Sequence, residues 1–178
     1  HASQGRERVQ RVDHDDPEGL AIATTVEVVP EHLHPIADVF RRGMLDPQSA
    51  DSYYNRGNVY KTLGQQRAAI ADFRESLRLR PRHAPTLNNL GTALLETGAI
   101  DEARHCFETA VQFDPQYYRA HTNLGWIHQK HNRAAAAQSC YQRAMQLNPG
   151  YAVAVNNLAS LFFEQNQAEP ARQMYERA

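Results

Sequence analysis

Residues 86–115 read TLNNLGTALLETGAIDEARHCFETAVQFDP, and the landmarks of this stretch return every 34 residues along the chain. Pro47, Pro81, Pro115 and Pro149 keep that spacing, as do Asn55, Asn89, Asn123 and Asn157. A fixed period of this length is the signature of stacked supersecondary units, each burying its apolar face only against its neighbours.

Within the stretch, Leu90, Leu94 and the small Gly91 fall on one face of a first helix, where glycine lets a second helix approach closely. Ala103 and Phe107 sit four residues apart on that second helix and fill the cleft between the two. Gly64, Gly98, Asn132 and Asn166 share one repeat position between the helices, and they are the residue types that end a helix in a left-handed conformation. Asp114-Pro115 and Asn148-Pro149 close the second helix, because the residue before a proline is pushed out of the helical region. Pro85 and Pro170 lie near helix starts, where the missing amide donor costs little.

Outward from the repeats, residues 1–34 form a non-repeat segment in which Leu20–Val29 (LAIATTVEVV) is expected to be strand-like or extended. Residues 35–49 read as a half repeat or cap, with Ile36, Val39, Phe40 and Met44 at helical spacing. The repeats are expected at 50–83, 84–117, 118–151 and 152–178, within an array spanning 35–178.

A net charge of −1 argues against a nucleic-acid-binding surface, and no apolar run approaches the ~20 residues of a membrane-spanning helix, so no membrane insertion is expected. Cys106 and Cys140 occupy the same position in neighbouring units. Stacked helices put such positions about 9–10 Å apart, beyond the ~7 Å between alpha carbons that a disulfide spans. Both cysteines are expected as small core or groove-wall residues, and a cytoplasmic location is expected.

Aligned, the units match the pattern W-x2-L-G-x2-Y…A-x3-F…A…P. The first supplies Tyr53, Arg56, Gly57, Tyr60, Ala69, Phe73, Ser76 and Pro81, and the second Leu87, Leu90, Gly91, Leu94, Ala103, Phe107, Ala110 and Pro115. The third supplies His121, Leu124, Gly125, His128, Ala137, Tyr141, Ala144 and Pro149. The fourth supplies Val155, Leu158, Ala159, Phe162, Ala171, Tyr175 and Ala178. On these residues the chain resembles the tetratricopeptide-repeat family. Arg56 stands where the pattern has leucine, and His121 and His128 stand at packed positions.

The resemblance implies an all-α fold, a right-handed superhelical solenoid whose first helices line a concave groove. The groove positions then include Asn55, Asn89, Asn123 and Asn157, with Asn88 and Asn156 beside them and Asn58 one turn on. A carboxamide both donates and accepts, so a regular row of them suits the backbone of an extended peptide. Bonding to the backbone of the adjacent repeat is the competing role. The row is similar to that in the superhelical domain of O-linked N-acetylglucosamine transferases, where asparagines hold the backbone of the substrate peptide. A second mode of the family, a clamp on carboxylates, matches at Asn58, Asn89 and Arg119, but Tyr54 and Asn123 stand where lysine and arginine are expected. Trp126, with Tyr54, either forms an aromatic wall for a ligand side chain or packs between first helices.

Other constellations are weaker. His32-x-His34 and His128-x-x-His131 have metal-pair spacing but no evident third ligand, so no metal or other cofactor is expected. Arg67, Arg74, Arg78, Arg80 and Arg82, interleaved with Asp72 and Glu75, read as a solvated face. There is no glycine-rich phosphate loop and no nucleophile–base pair, so no catalytic residue is assigned and the chain is not expected to be an enzyme. The expected function is a protein–protein interaction module, an adaptor or scaffold that holds an extended peptide or partner protein in its groove. The alternatives are the substrate-recognition part of a larger enzyme such as a protein glycosyltransferase, and a self-assembling scaffold. Homo-oligomers are expected through the C-terminal repeat, where Ala171, Met174 and Tyr175 lie on an uncapped helix, or through the N-terminal segment.

Overall fold

The computed structural model describes residues 48–175, and each 34-residue period is realised there as a helical hairpin. The pairs are α1 (Ala50–Thr62) with α2 (Gln66–Leu79), α3 (Ala84–Glu96) with α4 (Ile100–Phe113), α5 (Tyr118–Lys130) with α6 (Ala134–Leu147), and α7 (Ala152–Glu164) with α8 (Ala168–Tyr175). The expected strand-like segment at 20–29 and the half-repeat helix at 35–45 lie outside the described residues.

The turn inside each hairpin follows from one residue. Gly64, Gly98, Asn132 and Asn166 take φ of 73°, 83°, 57° and 58°, the left-handed region. That reversal lets the next amide reach back five residues: Gln65, Ala99, Arg133 and Gln167 each donate to the carbonyls of Tyr60, Leu94, His128 and Phe162 at 2.9 Å. Carbonyls that a helix end would strand are thereby satisfied. At the other end of the hairpin, Arg80, Asp114 and Asn148 cap their helices with φ of −136°, −135° and −142°, the extended conformation a following proline imposes.

Packing inside a hairpin turns on glycine facing a ring. A Cβ placed at Gly57 or Gly91 would lie 2.6 Å from a ring carbon of Phe73 or Phe107, and one at Gly125 would lie 2.5 Å from a carbon of Tyr141. The three rings are fully buried beside Ala69, Ala103 and Ala137. The third hairpin closes normally despite its histidines: Ile127 and Tyr141 are buried, the Tyr141 hydroxyl donates to Gln129 Oε1 at 2.8 Å, and His121 and His128 are half-buried at the margin. Cys106 and Cys140 are free thiols packed against the core.

One expectation is corrected. Asp72 is not on a solvated face: it is 6% exposed and accepts both guanidinium arms of Arg56, at 2.6 and 2.7 Å. The arginines around it do face water, with Arg74 paired to Glu102, Arg78 to Glu75 and Arg80 to Asp51.

Successive first helices approach one another closely along the backbone, α1 with α3, α3 with α5 and α5 with α7. Successive second helices stand further apart and meet through side chains, as in the Arg74–Glu102 pair between α2 and α4. The first helices therefore line the inner, concave side of a superhelical all-α solenoid.

Candidate functional site

On the inner side the asparagines are arranged as a relay. Asn123 Nδ2 donates to Asn88 Oδ1 at 2.8 Å, Asn88 Nδ2 donates to Asn89 Oδ1 at 3.3 Å, and Asn89 Nδ2 donates to Asn58 Oδ1 at 2.7 Å. Four carboxamides from α1, α3 and α5 are thus joined across three repeats. Asn88 is 5% exposed, and its two bonds offset the cost of burying an amide. The outer atoms of the relay, Asn123 Oδ1 and Asn58 Nδ2, have no hydrogen bond among the described residues.

Asn55 and Asn156 are exposed and Asn157 is half-exposed; no side-chain hydrogen bond of theirs is made among the described residues. The structure brings together Asn58, Asn88, Asn89 and Asn123, and leaves Asn55, Asn156 and Asn157 open to solvent.

The clamp-type residues do not converge on a vacant cationic centre. Asn58 and Asn89 bond each other, the Tyr54 hydroxyl lies 3.5 Å from Asn89 Nδ2, and the Tyr54 ring meets His83 edge-on at 5.4 Å. Arg119 is exposed, with its guanidinium 5.8 Å from the centre of the Tyr118 ring and its Nε donating to the Tyr118 hydroxyl at 3.4 Å. Lys61 is half-buried, and desolvation holds its ammonium below the usual lysine range against the pull of Glu96. Trp126 is 36% exposed and carries the Lys130 ammonium 5.6 Å from its ring centre, so it is not sealed between helices.

Two features escaped the sequence reading. Val153 and Phe163, near opposite ends of α7, are large apolar side chains 47% and 70% exposed. The pairing of amides with amides was also missed: the separation of 35 residues between Asn88 and Asn123 identifies neighbouring repeats, but not that their side chains turn toward each other.

Among the described residues no helix is long and apolar enough to cross a membrane, and no three His, Cys, Asp or Glu side chains are grouped to hold a metal ion.

Comparison with known proteins follows the same architecture. Family models for the tetratricopeptide repeat match residues 50–83, 84–117 and 128–178. No curated protein matches significantly. Among solved structures, the chain is similar to PilF of Pseudomonas aeruginosa, with 27% identity and a TM-score of 0.71, over 80% of this chain and 65% of that one. It thus spans about two thirds of the PilF chain. It is also similar to MamA, with 18% identity and a TM-score of 0.68 over 80% of this chain and 83% of that one. A third likeness, to MamA residues 41 to the end from Desulfovibrio magneticus RS-1, has 22% identity and a TM-score of 0.64 over 73% of each chain. The two MamA likenesses speak for the fold alone. With repeat models matching more than half of its residues and helical hairpins in register with them, the chain belongs to the tetratricopeptide-repeat family.

Proposed function

We propose that this chain is a protein-interaction module that holds an extended segment of a partner protein along the concave side of α1, α3, α5 and α7. Membership of a family of protein-binding repeats supports the general reading. The observation that carries the specific one is the grading of the inner surface. The relay from Asn123 to Asn58 makes the first three repeats a preorganised amide floor. From Trp126 onward, unpartnered amides alternate with exposed apolar side chains at Val153, Asn156, Asn157 and Phe163.

An extended peptide presents a backbone donor or acceptor at each residue and side chains on alternate faces. Asn157 and Asn156 offer both donor and acceptor to such a backbone, and Trp126 and Phe163 offer area for its apolar side chains. Carboxamides, aromatic rings and a few cations are groups that bind rather than transform, and we assign the groove no bond-making step.

The test separates binding from folding. Partners captured by the wild-type chain are identified, and their affinities are measured for Asn157→Ala and Trp126→Ala. Weakened binding with an unchanged melting temperature supports the groove. Full affinity in both variants, and in the double variant, excludes it.

A further inference from the structure

The sequence singled out His128 and His131, and the groove does not use them. Both line a niche of about 190 Å³ between the second and third hairpins, together with Asp101 and Arg104 of α4, Ile127 of α5 and Arg133 at the N-terminus of α6. At ~30 Å³ per water molecule, this volume accommodates a small tetrahedral ion with part of its hydration.

The repeats supply an internal control for what this position needs structurally. His128 corresponds to Leu94 and Phe162, Arg133 to Ala99 and Gln167, and Arg104 to Ile70 and Gln138. At these three positions apolar or neutral side chains serve at the other junctions, although the Asp101 position carries Arg67 in the first hairpin. Only at this junction do two guanidinium groups and two imidazoles replace them. Leucine or phenylalanine at the His128 position would add burial, whereas the imidazole there is partly desolvated and makes no hydrogen bond among the described residues. A local departure that stability does not require points to a ligand.

The chemistry of the lining selects the ligand. Arg133 has no ion pair among the described residues, and no acidic residue occupies the first turn of α6, so the positive end of that helix is open beside it. Arg104 is held by Asp101 at 3.1 Å and more loosely by Glu108 at 3.9 Å. Asp101 is 90% exposed, so it can yield Arg104 to a better acceptor. The His131 Nδ1 lies 2.8 Å from the Ile127 carbonyl; donation there leaves Nε2 for a second partner. Guanidinium forks match the paired oxygens of phosphate and repel a metal cation. We propose that this niche binds a phosphate-type oxyanion, with Arg133 and Arg104 as its principal donors and His128 and His131 completing the shell.

Electrostatics at the niche agree with this assignment. Burial, and then the charge of Arg133, pulls His128 below the ordinary imidazole value of 6.5; Arg104 and His131 act in the same sense and only Glu108 opposes them. A bound dianion would reverse that balance and favour imidazolium. Affinity for the dianion should therefore rise as pH falls through the His128 titration, opposed by the protonation of phosphate itself in the same range.

None of the lining residues is among the groove residues, so this assignment and the groove reading fail independently. The test follows the His128 and His131 ring signals by NMR in the full chain while inorganic phosphate is added to tens of millimolar, His131 serving as the reporter where His128 is replaced. Saturable shifts are expected, with an upward move of the His128 midpoint. Arg133→Gln should weaken binding about tenfold, the loss expected for a charged hydrogen bond. Asp101→Asn, which removes the competing carboxylate, should strengthen it. His128→Leu, which installs the residue found at Leu94, should fold well and lose the imidazole's share of the pH dependence, leaving that of phosphate alone. A short peptide carrying one phosphoserine, compared with its unphosphorylated form, distinguishes the sources. Tighter binding than inorganic phosphate assigns a phosphorylated side chain, and equal or weaker binding assigns the free ion. Absence of saturation, or saturation with unchanged affinity in Arg133→Gln, overturns the site.

Discussion

Arg56 and Asp72 form a bidentate ion pair inside the first hairpin, at the two positions where the second hairpin has Leu90 and Cys106 and the third has Leu124 and Cys140. The same backbone cleft is thus closed once by charge and twice by apolar packing. Breaking a buried pair leaves one charge uncompensated, which costs about 3–5 kcal/mol, whereas exchanging both partners for apolar groups is often neutral or favourable. Arg56→Leu alone and Asp72→Cys alone should each lower stability by about that amount, the arginine change less because its side chain is 21% exposed. The double variant should recover most of the loss or exceed the wild type. Urea unfolding of the four proteins of this cycle tests it, and additive single losses in the double variant would refute the argument.

The glycine at the hairpin contact should resist even alanine. Gly91→Ala gains about 1 kcal/mol of helix propensity, but its Cβ would meet Phe107, and overpacking of this kind costs about 1–3 kcal/mol. A net loss is expected, and Gly91→Ala combined with Phe107→Leu should be less destabilised than the sum of the two single changes. Melting temperatures that simply add would show that the ring and the glycine are not coupled.

At Gly98 the constraint is conformational, since a Cβ there would touch nothing within 4 Å. Its φ of 83° should still make Gly98→Ala cost about 1–2 kcal/mol, the penalty for a left-handed L residue. Asn132→Gly, at φ 57°, should be close to neutral. If Gly98→Ala is silent, the turn relaxes by another route.

The relay predicts that the asparagines divide into two groups. Asn88→Ala removes a buried amide with two partners and leaves Asn123 Nδ2 without an acceptor, so a loss of about 1–3 kcal/mol is expected. Asn157→Ala, with no partner to strand, should lie within about 0.5 kcal/mol of the wild type. Thermal denaturation of the two variants reads this directly, and equal losses would mean that the relay contributes nothing.

The pH dependence has a defined sign. His83 and His128 are both depressed below 6.5 in the folded chain, each first by burial. As pH falls below 6.5 the unfolded chain takes up these protons before the folded one does, so stability is lost through that range and the loss levels off below the folded values. In phosphate-free buffer, His128→Leu should flatten the stability profile below about pH 6.5. A variant as acid-sensitive as the wild type would assign the loss to other groups.

What the sequence determined by itself was everything the 34-residue period repeats: helical hairpins, left-handed turns at Gly64, Gly98, Asn132 and Asn166, extended residues before proline, and glycine facing Phe73, Phe107 and Tyr141. These features are local, or recur by translation, so three or four copies report each constraint. What only the tertiary structure decided lies where side chains of different elements meet. Arg56 read as a departure and Asp72 as a surface charge, because a side chain's partner sixteen residues away depends on how one helix is rotated against another. The asparagine period placed the amides on one face, but their bonding to one another depends on the spacing between α1, α3 and α5. His128 and Arg133 belong to one repeat and Arg104 to its neighbour; spacing within a repeat cannot show that they share a niche, because stacking sets the distance between repeats.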